Sequence, residues 1–216
     1  MSSSLSAGVA ATLTLATSAD SCLGTAGNVW GGNRALFSLL DYLSNRNLLT
    51  GARILALGSG TGLLELCAAA RGAHVIATDL PVVLPLLQLN GAANEPAIAA
   101  SGGSFTTAPL TWGESVDGVA SHLPVTFVFA SDCIYWPELF PPLIATFTKL
   151  CDAQPAAPPP IYFTLEARTP RELLFFDLLE DASFEWSLVD GRHATEFDAL
   201  VGSACAIFCA RRVSRI

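Results

Sequence analysis

The sequence predicts an α/β fold with a seven-stranded, mostly parallel sheet, helices on both faces and an antiparallel hairpin at the C-terminal edge. Short apolar runs alternate with helix-like segments over most of the chain, which is typical of a parallel sheet. A near-continuous apolar run at residues 125–130 fits the buried centre of such a sheet. Two further strands, at residues 184–189 and 204–210, end the chain without a helix between them. This order of elements is Rossmann-like.

The N-terminal part of the chain is expected to cover the main sheet. Residues 11–17 alternate Leu with Thr, the pattern of a half-buried strand. We therefore expect residues 1–27 to form an extension that contains a cover strand. A chain of 216 residues is most simply read as one domain, which assigns residues 28–216 to a single unit.

Prolines set the expected bounds of two helices. Pro81 suits the first position of a helix at residues 82–93, where its missing N–H costs little. Pro141 and Pro142 are expected to confine a later helix to their C-terminal side. The other predicted strands are residues 54–57, 74–78, 105–108 and 161–165, and the other predicted helices are residues 35–43, 62–70, 138–150 and 171–181.

Composition excludes several classes of protein. The net charge is −8 with only 11 Lys and Arg, and phosphate binding needs clusters of these residues, so nucleic acid is not expected as a partner. No apolar run is long enough to span a membrane, and the N-terminus lacks the charge pattern of a signal peptide. The 6 cysteines form no CxxC pair, which predicts neither a metal site nor disulfides and indicates the cytoplasm or nucleus. The sequence carries no signal for an oligomeric state.

The most informative motif is a glycine-rich turn that follows a predicted strand. Gly58, Gly60 and Gly62 stand at alternate positions, and Asp79 ends the next strand. Glycine lets the backbone approach a ligand closely, and an acid at that second strand end suits the hydroxyls of a ribose. The turn therefore predicts an adenosine-type cofactor. A nicotinamide-binding turn has its third glycine one residue later, where this chain has Leu63, so a dehydrogenase is disfavoured.

Further blocks accompany the turn in a defined order. They are Val29-Trp30-Gly31, Thr78-Asp79-Leu80-Pro81, Leu110-Thr111-Trp112-Gly113 and Ser131-Asp132-Cys133-Ile134-Tyr135. Together with the glycine turn they resemble methyltransferase family 16, the seven-strand protein-lysine methyltransferases. The resemblance spans roughly residues 29–181, which is most of the chain.

The resemblance implies S-adenosyl-L-methionine as the cofactor and a lysine of a protein partner, of the chaperone or translation-factor type, as the methyl acceptor. It implies that Asp79 accepts both ribose hydroxyls, that Trp112 packs against adenine and that Trp30 helps to close the methionine end of the pocket. Asp132 and Tyr135 are the implied catalytic residues, because one can orient the lysine ammonium and the other forms a wall of its channel. The implied cofactor-binding residues are Trp30, Gly58, Ser59, Gly60, Thr61, Gly62, Asp79, Leu80, Trp112 and Ser131, with no metal.

One departure from the family pattern keeps other functions open. Relatives usually carry an acid at the third residue of the strand before the glycine turn, where it supports the turn and the amino group of the cofactor. This chain has Ala56 at that position. A catalytically degenerate binding module of the same fold is therefore one alternative. A small-molecule N-methyltransferase is the other, since no residue in the sequence excludes it.

Overall fold

A seven-stranded mixed sheet organises the structure, a computed structural model that describes residues 2–6, 12–30, 32–166, 170–189 and 205–213. The strands are β1 Ser2–Ser6, β2 Thr12–Ala16, β3 Arg53–Leu57, β4 His74–Asp79, β5 Ser104–Pro109, β6 Phe127–Ala130, β7 Ile161–Leu165, β8 Phe184–Leu188 and β9 Ala206–Arg212. The helices are α1 Gly32–Asn45, α2 Leu63–Ala69, α3 Leu84–Ala100, α4 Phe140–Asp152 and α5 Leu174–Asp181. Short 3₁₀ helices lie at Ser21–Leu23, Asp117–His122, Pro137–Leu139 and Pro170–Leu173.

The strand order is β5-β4-β3-β6-β7-β9-β8, and neighbouring strands are parallel except in the two pairs that involve β9. The predicted fold class, with its antiparallel C-terminal hairpin, is confirmed. β9 lies between β7 and β8, so β8 takes the edge; residue 204, the expected start of β9, lies outside the described residues. The chain runs outward from β3 to β5 and then returns to β6, which places a switch point between β3 and β6. Open α/β sheets bind ligands beyond the carboxyl ends of their strands at such a point.

Two apolar layers cover the sheet, because successive side chains of a strand point to opposite faces. Ala56 of β3 belongs to the cluster under α1 and α2, whereas Leu55 and Leu57 belong to the cluster under α4 and α5. The second cluster is aromatic, and Phe163 of β7 stacks on Phe208 of β9 with ring centroids 5.3 Å apart. Each such pair contributes about 1 kcal/mol beyond its buried area. The sheet is therefore held from both sides, which fixes the strand ends that form the site.

The prolines of α3 and α4 lie at other positions than the predicted ones. The prediction that Pro81 opens α3 is wrong, because it lies in the preceding turn and Pro85 occupies the first turn instead. The prediction that α4 starts after Pro141 and Pro142 is also wrong, since both lie in its first turn. N–H groups of a first turn have no intrahelical acceptor, so proline removes no bond there. α3 also continues past its predicted end, with Pro96 inside it.

The N-terminal extension folds back over α3. β1 and β2 pair as an antiparallel hairpin, which confirms the strand expected at residues 11–17. The Asn94 carboxamide accepts from the N–H of Thr14 at 2.7 Å and donates to its carbonyl at 2.7 Å. Asn90 makes the same pair of bonds with Ala16, at 2.8 Å and 3.0 Å. These two side chains replace a neighbouring strand, so β2 is bonded along both edges.

Candidate functional site

A cavity of about 410 Å³ opens at the carboxyl ends of β3, β4, β6 and β7, at the switch point of the sheet. This volume is typical of a small-molecule site. The residues predicted for the site converge here from separate parts of the chain. Those that line the cavity are Trp30, Gly58, Ser59, Gly60, Thr61, Asp79, Leu80, Trp112, Ser131, Asp132 and Tyr135.

The glycine turn forms the floor of the cavity. Gly58, Gly60 and Gly62 have φ angles of +63°, +55° and +77°, a region that residues with a side chain rarely adopt. A Cβ on Gly58 would lie 2.9 Å from Trp112 Cζ2 and 3.0 Å from Cys133 Sγ, so glycine allows the indole to pack on the turn. Gly62 lies behind the floor as the N-cap of α2. Its assignment as a cofactor-binding residue stays a prediction.

Asp79 ends β4 with its carboxylate turned toward the floor. Its Oδ2 accepts a hydrogen bond from the N–H of Gly60 at 2.8 Å, and its Oδ1 accepts one from the N–H of Leu80 at 2.7 Å. Burial raises the pKa of this carboxyl, and the two backbone hydrogen bonds oppose the rise. A carboxylate has about four acceptor positions, so Asp79 keeps capacity for the hydroxyl groups of a ligand.

A second buried acid lies beside the floor, and the sequence analysis missed it. Glu65 is in the first turn of α2, is 4% exposed and lines the cavity. Its pKa is raised to about 7, mainly by burial and further by the charge of Asp79. Its own N–H and the Ser59 hydroxyl oppose the rise, although Ser59 Oγ makes no hydrogen bond of normal geometry among the described residues. One Glu in an apolar helical run is typical of a solvent-facing position, so the pattern gave no signal.

Asp132 and Tyr135 follow β6, across the switch point from the glycine turn. Asp132 has a φ of +54°, which is uncommon for a residue with a side chain, and its N–H donates to Thr164 Oγ1 at 2.9 Å. Backbone strain of this kind clusters at functional sites. Burial raises the pKa of the Tyr135 phenol, with Thr25 opposing the rise, and its ring centroid lies 5.1 Å from that of Trp136. One wall of the cavity thus combines an acid with aromatic rings.

The rim is formed largely by residues 17–30, a segment that we call the strap. Its short 3₁₀ helix is capped by Asp20, which accepts from the N–H of Cys22 at 2.9 Å. Trp30 is exposed at the cavity mouth, and its Nε1 donates to the carbonyl of Thr25 at 2.8 Å. The sequence analysis identified only Trp30 here, because the rest of the strap has no periodic pattern. The strap residues that line the cavity are Cys22, Leu23, Gly24, Thr25, Ala26, Asn28 and Trp30.

Contacts between backbone groups attach the strap to the floor. The carbonyl oxygen of Ala26 lies only 3.1 Å from the position that a Cβ on Gly60 would take. Asn90 Nδ2 donates to the carbonyl of Thr61 at 2.8 Å. It also donates to the carbonyl of Ala16, the residue directly before the strap. One buried carboxamide therefore joins the N-terminal extension to the glycine turn.

The cavity wall is acidic. Among the described residues that line it there are acids from several elements and no Lys, Arg or His. A wall of one charge sign concentrates ligands of the opposite sign, so the site favours a cationic ligand. The acids are Glu65, Asp79, Asp132, Glu166 and Glu172.

Metal ligands, membrane-spanning helices and cysteine thiols are the other features of the described part of the chain that bear on function. It contains no group of His, Cys, Asp and Glu side chains that could hold a metal ion. None of its helices has the length and apolar character needed to cross a bilayer. All 6 cysteines are free thiols; Cys22 is exposed, Cys205 is intermediate and the other four are buried.

The matched family agrees with this geometry. Residues 10–182 match the sequence model of the family described as lysine methyltransferase, methyltransferase family 16. That region contains the glycine turn, Asp79 and the segment from Asp132 to Tyr135. This chain belongs to the lysine methyltransferase family. The resemblance noted in the sequence is therefore confirmed.

Curated proteins similar to this chain are named as lysine methyltransferases. "EEF1A lysine methyltransferase 3" of Mus musculus is 36% identical over 130 residues, which cover 60% of this chain and 52% of that protein. "Protein N-lysine methyltransferase METTL21A" of Xenopus tropicalis is 33% identical over 133 residues, covering 61% and 58%. "Protein-lysine methyltransferase METTL21E" of Bos taurus is 30% identical over 164 residues, covering 75% and 54%. The chain spans about half the length of these relatives.

Solved structures share the fold of this family member. A SAM-dependent methyltransferase from Agrobacterium tumefaciens aligns with a TM-score of 0.60 at 13% identity, over 98% of this chain and 70% of that one. Magnesium protoporphyrin IX methyltransferase from Synechocystis PCC 6803, with bound SAH, aligns with a TM-score of 0.55 at 18% identity, over 85% and 84%. At these identities the likeness concerns the Rossmann-like methyltransferase fold alone.

Proposed function

We propose that this chain is an S-adenosyl-L-methionine-dependent protein-lysine N-methyltransferase. The observation that carries the proposal is one acidic cavity with two distinct walls. On one side, buried Asp79 is bonded to the glycine turn at Gly60. On the other, Asp132 stands beside the aromatic ring of Tyr135. The first wall suits a nucleoside cofactor and the second suits an incoming amine.

The floor fits the adenosine and methionine parts of the cofactor. Asp79 has acceptor capacity for the ribose hydroxyls beyond its two backbone bonds. Trp112 presents its half-buried indole to the cavity for stacking on adenine, and Gly58 holds the turn against that indole. Ser59 Oγ is buried with no partner among the described residues, so a polar ligand group at the floor would satisfy it. The other proposed cofactor contacts are Trp30, Gly60, Thr61, Leu80 and Ser131.

The bound cofactor supplies a methyl group on a positively charged sulfur. Tyr135 and Trp136 line the approach of the lysine and displace water from its ammonium group, which lowers the ammonium pKa. The ammonium proton would pass to solvent and leave a neutral amine. Asp132 would accept a hydrogen bond from that amine and orient its nitrogen. Positioning of this kind supplies much of the acceleration, so the chain needs no separate base.

The rim supports a protein as the partner that carries the lysine. Four large apolar side chains around the cavity, Trp30, Leu80, Val82 and Trp136, are between 41% and 58% exposed. Exposed apolar groups gathered around a cavity are typical of a protein-binding surface. The net charge of −8 favours a basic surface around the target lysine over a nucleic acid. The name of one relative gives EEF1A as its target, which supports a protein substrate. We further propose a target of the translation-factor or chaperone type, modified in the cytoplasm or nucleus.

Two measurements test the proposal. Isothermal titration calorimetry with S-adenosylhomocysteine should detect binding, and radiolabelled S-adenosylmethionine should label protein bands of a cell lysate. Asp132→Ala should remove the label and leave S-adenosylhomocysteine affinity within about threefold, because Asp132 serves the amine. Asp117→Ala, an exposed acid outside the cavity wall, is the control. Failure to bind S-adenosylhomocysteine at millimolar concentration contradicts the proposal, and label on small molecules alone replaces it with the small-molecule alternative.

A further inference from the structure

The buried carboxylate of Glu65 points to a further contact with the cofactor. This inference rests on the proposed function. We propose that Glu65 binds the α-ammonium group of the cofactor's methionine part, and that it replaces the acid that the family pattern has at residue 56. In this chain the carboxylate comes from the helix after the glycine turn instead of the strand before it. The acid that the sequence lacks at residue 56 is then supplied from residue 65.

The two residues lie on either side of the same turn. Ala56 is fully buried in the apolar cluster under α2, where its methyl group brings no charge to the cavity. Glu65 is in the first turn of α2, directly after the turn, and lines the cavity. Every residue of α2 is buried, and its other side chains are apolar. A carboxylate in such a helix costs free energy unless a partner compensates its charge, so a ligand cation gives the position a purpose.

The surroundings supply no protein cation for this carboxylate. No described residue on the cavity wall is Lys, Arg or His. Arg71, just beyond α2, donates to Asp41 at 2.9 Å and to the carbonyl of Cys67 at 3.1 Å. Asp79 is close enough for its charge to raise the pKa of Glu65, so a cation between them is favoured by both. Among the described residues no cation compensates ionised Glu65, so a cationic group of the ligand would be its partner.

The other acids of the wall have separate tasks or positions, and two of them, Glu166 and Glu172, follow β7 rather than the glycine turn. Asp79 accepts the N–H groups of Gly60 and Leu80, and the proposed function assigns its remaining capacity to the uncharged ribose. Asp132 lies across the switch point, on the wall that receives the lysine. Glu65 is the acid beside the floor that has no assignment to ribose or lysine. S-adenosylmethionine has two cationic groups, the sulfonium and the α-ammonium group. The proposed function assigns the methyl-bearing sulfonium to the lysine wall, which leaves the α-ammonium group for Glu65.

A pair of ligands tests this inference directly. S-adenosylhomocysteine carries the α-ammonium group, whereas 5′-methylthioadenosine keeps the adenosine and the thioether but lacks the amino-acid part. Glu65→Gln should weaken S-adenosylhomocysteine binding by about tenfold to a hundredfold, the effect of losing a hydrogen bond to a charged group. It should leave 5′-methylthioadenosine affinity within about twofold of wild type, measured by calorimetry. Glu138→Gln, an exposed glutamate outside the cavity wall, removes the same charge and should change neither affinity.

The pH dependence of wild-type binding gives a second test that needs no variant. A cation binds ionised Glu65 better, so S-adenosylhomocysteine affinity should rise between about pH 6 and about pH 8, around the free-state pKa of about 7. Asp79, Cys67 and Cys133 are the other titratable groups coupled to Glu65. Burial raises the pKa of both thiols, to about 11 for Cys67 and well above its ordinary value for Cys133, so they stay neutral here. Titration of Asp79 acts on the ribose of both ligands, so the ratio of their affinities removes that contribution.

The outcomes separate this inference from the proposed function. Wild-type protein that binds neither ligand contradicts both proposals. Wild-type protein that binds S-adenosylhomocysteine, with Glu65→Gln losing both ligands equally or losing neither, overturns the role of Glu65 alone. An affinity ratio that is constant over the same pH range overturns it as well. A selective loss of S-adenosylhomocysteine, together with a rising ratio in wild type, supports the role of Glu65.

Discussion

The floor and the rim of the cavity are built in different ways. The floor consists of backbone in left-handed turns, with Asp79 and Glu65 buried beside it, and Asp79 is hydrogen-bonded to the N–H of Gly60. The rim consists largely of the strap, together with exposed apolar side chains such as Leu80 and Trp136. A rigid polar floor recognises one ligand geometry, whereas an apolar rim adapts to a surface. We therefore expect floor substitutions to change cofactor binding and rim substitutions to change recognition of the protein substrate.

The largest effect is expected from removing the floor's acceptor. Asp79→Ala deprives the N–H groups of Gly60 and Leu80 of their partner and removes the proposed ribose acceptor. We expect S-adenosylhomocysteine affinity to fall about a thousandfold, the sum of several charged hydrogen bonds, as measured by calorimetry. Asp79→Asn keeps one acceptor oxygen and should lose less. A folded alanine variant, checked by circular dichroism, that binds within tenfold of wild type would contradict the description of the floor.

Ionisation of Glu65 should destabilise the ligand-free protein. Its folded-state pKa of about 7 lies above the ordinary value of 4.5, so its contribution to stability is complete below the lower value and is lost as pH rises through the higher one. The shift corresponds to about 3 kcal/mol. Urea unfolding of wild type and Glu65→Gln should show this much change in their stability difference between about pH 4 and about pH 8. The raised pKa of Asp79 acts in both proteins and cancels.

A matched variant keeps the pH prediction specific. Glu138→Gln alters an exposed glutamate and should follow the wild-type pH dependence. If the stability difference between wild type and Glu65→Gln is independent of pH, Glu65 does not have the raised pKa that its burial requires.

Removing the Asn90 side chain, which joins the N-terminal extension to the glycine turn, should have an intermediate effect. Asn90→Leu keeps the branching and the number of side-chain heavy atoms but removes the two hydrogen bonds to Ala16 and the one to the carbonyl of Thr61. We expect the free energy of unfolding to fall by about 2 kcal/mol, together with faster proteolysis of the N-terminal extension. Gln88→Leu on the same helix is the control, since Gln88 is exposed and makes a side-chain contact of 3.4 Å. Equal stability of the two variants would mean that Asn90 does not anchor the strap.

The smallest effect is expected at the rim. Trp136→Ala removes an exposed ring beside Tyr135 without touching the floor. S-adenosylhomocysteine affinity should stay unchanged, while the KM for the protein substrate should rise about fivefold, or about 1 kcal/mol. Leu89→Ala, equally exposed at 58% but outside the cavity wall, should change neither quantity. Loss of cofactor affinity in Trp136→Ala would erase the distinction between rim and floor.

The floor was predictable from sequence because its geometry is local. Alternating glycines after a β-branched strand restrict the backbone within a few residues, and Asp79 follows at the end of the adjacent strand. The fold class needed only the alternation of strands and helices. The position of β9 between β7 and β8 depends on long-range pairing that no local pattern encodes. The division of the chain at residues 27 and 28 stays a prediction.

The rim and Glu65 were not predictable for two physical reasons. The strap between residues 17 and 30 follows Ala16, which is bonded to the distant Asn90, and its irregular backbone leaves no periodic signal. Glu65 is polar on a helix that is buried all round, so an amphipathic pattern places it on the wrong surface. Its location follows only from the packing of α2 against the sheet, which is a property of the assembled fold.

The thiol of Cys22 gives the cavity a built-in chemical reporter. It is exposed on the strap and lines the cavity, whereas Cys67, Cys133, Cys151 and Cys209 are buried thiols with raised pKa values. Buried thiols with little thiolate react slowly with maleimides and similar electrophiles. A thiol-reactive fluorophore should therefore attach at Cys22 on the strap, with the partly exposed Cys205 as the competing site. Its signal would follow ligand entry in solution, without an engineered label.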